Sequence, residues 1–431
     1  MGTKLLHYSK LAYTSFWFIP GFMVLAATIL SFVSIYIDMK ISFDFLGIFG
    51  VGGGDESRAI LSTIASSAIG VAGVAFSITI VVLVLASSQF GPRLLRGYMR
   101  DRGNQIVLGT FISTFIYCLL LLRSVGAVEA LNFSITIAVI MSMFNVGMFI
   151  YFIHHISSSI HVDHIISIVY KDLLAHIKNF LPEESTEISI DNFDENEEQE
   201  EYSYTLAVKY PSSGYLQVIS RKSILNFTKK NNFLVHIMYK PGEFIVENSP
   251  LLIIKSNEEI QESISKDLLN YFIVGKRRIS EQDPEFAIHQ IVEIAVRALS
   301  PGINDPFTAL TCIDWLGSVV CLLTNKQFPV SKIYDEESKL RMVSKTSDFK
   351  GAVNVAFDQI RQYGVDSVAV NIRLLETLSK IAIFIKGTEQ KDVIQEQADM
   401  ILRSSEKANI DIRDKTDIKK RYDSFLKEIN S

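Results

Sequence analysis

Long apolar runs bounded by charge fill the first third of the chain; short β-branched runs and then helical periodicity fill the rest. Residues 11–37, 59–90, 105–122 and 130–153 carry no Asp, Glu, Lys or Arg. About 18 or more such residues are enough to cross a bilayer as a helix, so the pattern predicts four membrane spans. The 59–90 run is 32 residues, about 48 Å as a helix against roughly 30 Å of hydrocarbon. It must either lean steeply or project beyond the membrane. The first run is too long for the core of a cleaved signal and has no small-residue cleavage site, so it reads as a retained span, kinked or tilted near Pro20-Gly21. Residues 150–181 predict one helix leaving the membrane.

Beyond that the texture changes. DNFDENEEQEEYS, 191–203, is acidic and poor in apolar residues, a solvated linker. It lacks the DxDxDG spacing of a calcium loop. YSYTLAVKY, GYLQVISRKSIL, FLVHIMYK and EFIVENSPLLII are strand-like runs divided by PSSG, KKNN and KPGE, with Gly214 and Gly242 at turn positions. From about Glu259 the chain reads as helical to its end. Asp283-Pro284 and Asp305-Pro306 each supply an N-cap followed by proline at the first helical position. Gly364 is a candidate break between two helices, and two polar helices close the chain. The fold class that follows is an α-helical membrane protein: a four-helix transmembrane domain (1–155), an exit helix and acidic linker (156–199), a small β domain (200–256) and an all-α cytosolic domain (257–431).

Charge sets an orientation. The loop between the second and third runs holds Arg93, Arg96, Arg100 and Arg102 against Asp101, whereas the next loop holds only Arg123 and Glu129. Positive charge stays on the cytoplasmic side, which places both termini in the cytoplasm and the glycine-rich 47–56 segment outside. The lipid bilayer is then the first partner. A net charge of -5 argues against nucleic acid. Cys118, Cys312 and Cys321 show no paired spacing for zinc or a disulfide framework.

Candidate chemistry falls in four places. Thr63, Ser66, Gly70, Gly73 and Ser77 share one helical face. That face suits close helix packing; equally, it suits the lining of a pore built by several subunits, where hydroxyls replace part of an ion's hydration. Arg93, Arg96 and Arg100 form a basic collar, which either only fixes topology beside anionic headgroups or draws anions to an inner mouth. His154, His155, His161, His164 and His176 lie in the exit segment and read either as a metal-binding or pH-sensing group or, as is commoner, as interfacial or solvated polar positions; the spacing of a metal site is not spelled out, and no metal or other cofactor is expected. Arg277, Arg278, Asp283, Glu293, Arg297, Asn304 and Asp305 are the densest polar group. They read either as an anion site completed by a helix N-terminus or as caps and ion pairs fixing a helix corner. No phosphate loop, HExxH, GxSxG or dinucleotide fingerprint occurs, and no catalytic residue or enzyme activity is expected.

QFGPRLLRGYMRDRGNQIVLGTFISTFIY and RRISEQDPEFAIHQIVEIAVRALSPGINDPFTALTCIDWL, with GYLQ at 214–217 and PGEF at 241–244, resemble the signatures of a bacterial membrane-protein family catalogued as domain of unknown function 2254. The resemblance covers nearly the whole chain and implies a multi-pass membrane protein, with no settled activity. The β segment is also similar to barrel-sandwich hybrid domains, without the modifiable lysine of the carrier members, so it implies a structural or interaction module. The expected function is a homo-oligomeric channel or channel-like transporter of the bacterial inner membrane. It is anion-preferring through its collar and regulated by its cytosolic domains through a small ion or anionic ligand. The competing expectation is a non-conducting sensor or scaffold.

Overall fold

The computed structural model describes residues 17–40, 54–90, 101–125, 131–159, 161–181 and 202–430. Its contacts divide the chain into two compact units, Met1–Ile165 and Ile166–Ser431.

The first unit is built from α1 (Phe18–Lys40), α2 (Gly54–Phe90), α3 (Arg102–Ser124) and α4 (Asn132–Ser159). α3 is the central helix, packed by each of the other three. Its sequence explains the position: a side chain at Gly109 would sit 3.2 Å from Pro20 Cα, so α1 and α3 approach with their backbones close, as small residues allow between helices in lipid. Pro20 lies in the first turn of α1, where its missing N–H breaks no helical bond. At that position a proline does not by itself force a kink. α2 starts at Gly54 with Asp55 and Glu56 in its first turn and runs for 37 residues, about 55 Å. Acidic residues in that turn suit the positive end of the helix dipole. The single exit helix expected over 150–181 is two helices. α4 ends at Ser159 and α5 (Val162–Phe180) starts anew, after a serine run whose hydroxyls compete for backbone bonds.

Among its described residues the second unit holds two sheets. β1 (Tyr204–Lys209), β5 (Pro250–Ser256), β3 (Leu234–Ile237), β8 (Leu340–Ser344) and β7 (Lys332–Tyr334) form one, in that order; β4 (Phe244–Ile245), β2 (Gly214–Ile219) and β6 (Phe272–Gly275) form the other. All pairs are antiparallel except β3 with β8, where Val235 faces Met342. Val208, Leu216, Val235, Leu252, Phe272 and Met342 share one core. Two corrections follow. The sheets take β6, β7 and β8 from the region expected to be all-helical. And the run expected as a strand after GYLQVI turns into the helix α6 (Arg221–Asn231), whose Ile224 and Thr228 are buried one turn apart.

The remaining elements are α7 (Ser263–Leu269), α8 (Pro284–Ala298), α9 (Pro306–Leu323), α10 (Phe349–Tyr363), α11 (Val368–Ala382), α12 (Thr388–Lys407) and α13 (Ile412–Ile429). Gly364 caps α10, as the sequence predicts. Among the described residues five helices, rather than four, are long and apolar enough to cross a membrane: α1 to α4 and α9. α9 differs in setting. Its Cys312, Ile313, Leu316, Gly317 and Val320 are buried within the second unit, and its Asp314 pairs with Arg373 of α11 at 3.2 Å. A helix apolar on nearly all sides is what the middle of a soluble core requires as well.

Candidate functional sites

The long second span has two faces of opposite fate. Leu61, Ala65, Ala68, Ala72, Ala75 and Val82, spaced three, four or seven apart, are buried; this stripe packs within the unit, and Ala72, Ala75 and Val82 share a core with Val107, Leu108 and Phe111 of α3. Thr63, Ser66, Gly70, Gly73 and Ser77 are all exposed. A side chain built at Gly70 or Gly73 would meet nothing within 4 Å. Close packing within the chain is therefore the task of the alanines, and the stripe of small and hydroxylated residues is left uncovered. Thr63 donates its hydroxyl to the Ala59 carbonyl at 2.7 Å and Ser77 to Gly73 at 2.9 Å, so their oxygens turn lone pairs outward. The collar of Arg93, Arg96 and Arg100 lies outside the described residues.

At one end of the first unit, Asp38 of α1 reaches the start of α4. Its carboxylate accepts from the N–H groups of Phe133 and Ser134, both at 3.0 Å, and from Ser134 Oγ at 2.5 Å. An acidic side chain from another helix thus satisfies the orphan donors of a helix N-terminus. Beside it, the Tyr117 hydroxyl of α3 lies 3.0 Å from Ser34 Oγ and 3.1 Å from the Ser134 carbonyl. At the other end Asp101 caps α3 through Gly103 N at 2.8 Å, and its second oxygen meets His155 Nε2 of α4 at 2.5 Å. The His155 ring stacks on Tyr151 and sits over Gly103, where a Cβ would come within 2.7 Å of Nε2. Of the five histidines in the exit segment, His155 has this carboxylate partner, while His154, His161 and His164 are exposed. Among the described residues no cluster of three or more His, Cys, Asp or Glu is placed to hold a metal ion. Sequence reasoning singled out neither Asp38 nor Asp101. The signal in each case is a lone carboxylate directly beside an apolar run, and its partner is far away in the chain.

In the second unit the dense polar group divides. Arg277, Arg278 and Asp283 stand at the start of α8, Glu293 and Arg297 along it, and Asn304 and Asp305 beyond its far end, with 15 helical residues between, about 22 Å. Asp283 Oδ2 accepts from Arg278 Nε at 2.9 Å and Nη2 at 2.7 Å, while Oδ1 accepts from Phe286 N at 2.9 Å. The Arg278 guanidinium also lies over the Phe286 ring, 5.1 Å from its centre, a cation–π contact. Burial raises the Asp283 carboxyl above its ordinary range, and Arg278 only partly offsets it. Asp305 takes Thr308 N at 3.2 Å and Thr308 Oγ1 at 2.5 Å, and Asn304 beside it adopts φ +50°. Both helix N-termini that could have received an anion are filled by the chain's own aspartates. The seven residues do not form one anion site; two separate capped corners take its place.

The first corner gathers several segments. Gly242, at φ +92°, lies so close under Asp283 that any side chain would collide with the carboxylate. Its N–H donates to the Leu216 carbonyl at 2.8 Å. Gln217 Nε2 donates to the Arg277 carbonyl at 2.7 Å, and Gln282 grips both backbone groups of Ile219, at 3.0 and 3.2 Å. Lys240 pairs with Glu285 at 2.6 Å.

The model of a family described as predicted membrane protein (DUF2254) matches residues 13–380. The chain belongs to this family. Two of its curated relatives, an uncharacterized protein of Mycobacterium tuberculosis (strain CDC 1551 / Oshkosh) and one of Mycobacterium bovis, are each 28% identical over 371 residues, covering 84% of this chain and 70% of the relative. No solved structure matches the chain. Membership fits a first unit of apolar helices, and the match reaches into α11. The GYLQ, PGEF and RRISEQDPEF strings that carry the family resemblance are the ones that meet at Asp283.

Proposed function

We propose that this membrane protein is a homo-oligomeric conduit, a channel or channel-like transporter rather than an enzyme, in which α2 of each subunit faces a shared axis. The observation that carries this reading is the uncovered Thr63–Ser77 face, open over Gly70 and Gly73, on a helix whose opposite alanine face already holds it to its own subunit. Small residues let helices approach one another, and hydroxyl oxygens can stand in for water around an ion. Four spans are few for a solitary path, which favours several subunits around it. Because Thr63 and Ser77 already donate their hydrogens to their own helix, anion preference rests on Arg93, Arg96 and Arg100 at the inner mouth. The distribution of basic loop residues favours the bacterial inner membrane with both termini and the second unit in the cytoplasm. There the second unit regulates the path.

The test is ion flux into vesicles holding the purified protein. Chloride flux is expected to exceed that of protein-free vesicles, to fall to that level in the Gly70→Leu/Gly73→Leu variant, and to shift toward potassium in Arg93→Glu/Arg96→Glu. Absence of chloride and potassium flux at every voltage and membrane tension, with the protein inserted, would sink the conduit and leave the sensor or scaffold reading.

A further inference from the structure

The interior of the first unit is polar where a membrane bundle has least reason to be. Along the central helix α3, Asn104, Thr110, Ser113, Thr114 and Tyr117 are each at least nine-tenths buried. Asn145 of α4 and Ser31 and Ser34 of α1 are buried with them. Some of these hydroxyls bond to their own helix, as Thr114 does to Thr110. Others do not: both polar atoms of the Asn104 amide, Ser113 Oγ and Asn145 Oδ1 have no hydrogen-bond partner. In hydrocarbon such groups are costly, and those that persist face the bundle interior and mark a path. Asn104 also borders a cavity, lined with Ala75, Thr79, Val107 and Phe152, with about 10 Å³ open to the centre of a water molecule, room for one water.

Both ends of this polar seam are titratable. Asp38 stands at one end, held by Phe133 and Ser134 of α4 and linked through Ser134 to Tyr117. Arg58 is bonded to the Val125 carbonyl at 3.3 Å. The His155–Asp101 pair stands at the other end, with Tyr151 stacked on the imidazole. Between them, successive polar residues of α3 are at most six positions apart, about 9 Å of helical rise, a gap that a file of about two hydrogen-bonded waters would span.

We propose that each subunit carries a proton path along α3, from Asp38 to the His155–Asp101 pair. Its chemistry suits a proton and not a larger ion: the cavity beside Asn104 has room for one water, and among the described residues the seam between its ends holds hydroxyls and amides, with no carboxylate to ligate a metal. Each hydroxyl or water in the file forms one O–H bond to the incoming proton and breaks one O–H bond to pass a proton on. The carboxylate at one end and the imidazole–carboxylate pair at the other take up and release it. One proton moves across, and nothing is oxidised or reduced. The path lies inside the subunit and does not depend on what the exposed face of α2 meets.

The test uses the full chain in vesicles with a pH dye inside, potassium gluconate on both sides, and valinomycin to set the voltage. Wild type is expected to move protons well above the protein-free rate. Tyr117→Phe and Asn104→Leu should lower that movement by about a hundredfold, the least that a positioned proton-transfer group commonly contributes, whereas Asn104→Ser should retain most of it. Gly70→Leu/Gly73→Leu should leave it unchanged, which separates this path from flux along an oligomer axis. Thermal unfolding of each variant shows whether it is folded, and Tyr117→Phe removes a single oxygen. A wild-type rate no greater than that of protein-free vesicles, with insertion shown by flotation, would overturn the proposal. Full proton movement in both Tyr117→Phe and Asn104→Leu would overturn it equally.

Discussion

Replacing Asp283 with alanine should destabilise the second unit by roughly 3–5 kcal/mol, the usual cost of removing one partner from a buried ion pair. Three losses combine. The Phe286 N–H loses its cap, the Arg278 guanidinium loses both bonds to Oδ2, and a void opens against Gly242. Arg278 keeps about a third of its side chain exposed, which places the expected value toward the lower end. The pair itself is not a large source of stability, because burial already raises the Asp283 carboxyl. A double variant, Asp283→Asn with Arg278→Met, should therefore recover much of the loss: the amide oxygen keeps the cap and the thioether stays on the Phe286 ring. The sign with pH is fixed by the same shift. A carboxyl whose folded pKa is raised binds its proton more readily when folded, so its contribution is fully present below the ordinary carboxylate value. That contribution is lost as pH rises through the raised one. Wild type should gain stability relative to Asp283→Asn on acidification through that window. Hydrogen exchange of the α8 amides in the full chain measures all three expectations, and unchanged protection in Asp283→Ala would refute the assignment of this corner.

How legible this was varies by element. The four apolar runs are visible without any structure, because hydrocarbon demands long uncharged helices. So are the caps at Asp283 and Asp305 and the stop at Gly364, since each is set by residues within a few positions of itself. β7 and β8 are not visible in this way. They are three and five residues long, and β8 is held by parallel pairing to β3, about a hundred residues earlier. α6 misled for the opposite reason, since a short run with Ile224, Leu225 and Phe227 suits a strand as well as a helix. The small-residue face of α2 was legible as a face, but not its direction. Only the burial of the alanine stripe shows that the Thr63–Ser77 side is uncovered. Asp38 and Asp101 escape sequence reasoning, since each acts through a partner about fifty to a hundred residues away.

Gly317→Leu should destabilise the second unit by about 1–3 kcal/mol, the range for overpacking a closed core, while Gly70→Leu should leave the stability of the single subunit within about 0.5 kcal/mol, as for a surface substitution away from special features. Both glycines lie in helices that pass the same test of length and apolarity, and only their surroundings separate them. At Gly317 a Cβ would lie 2.3 Å from the Thr377 methyl of α11. Thr377 is buried and β-branched on a helix, so it has little rotamer freedom with which to yield. The helices α9 and α11 would have to part, and Asp314 would then lose Arg373. At Gly70 there is nothing to displace. Thermal unfolding of detergent-solubilised protein distinguishes the cases: a lower midpoint for Gly317→Leu and an unchanged one for Gly70→Leu would place α9 in a folded core. Equal midpoints for the two would mean that α9 does not pack on α11, and that its apolar surface has another use.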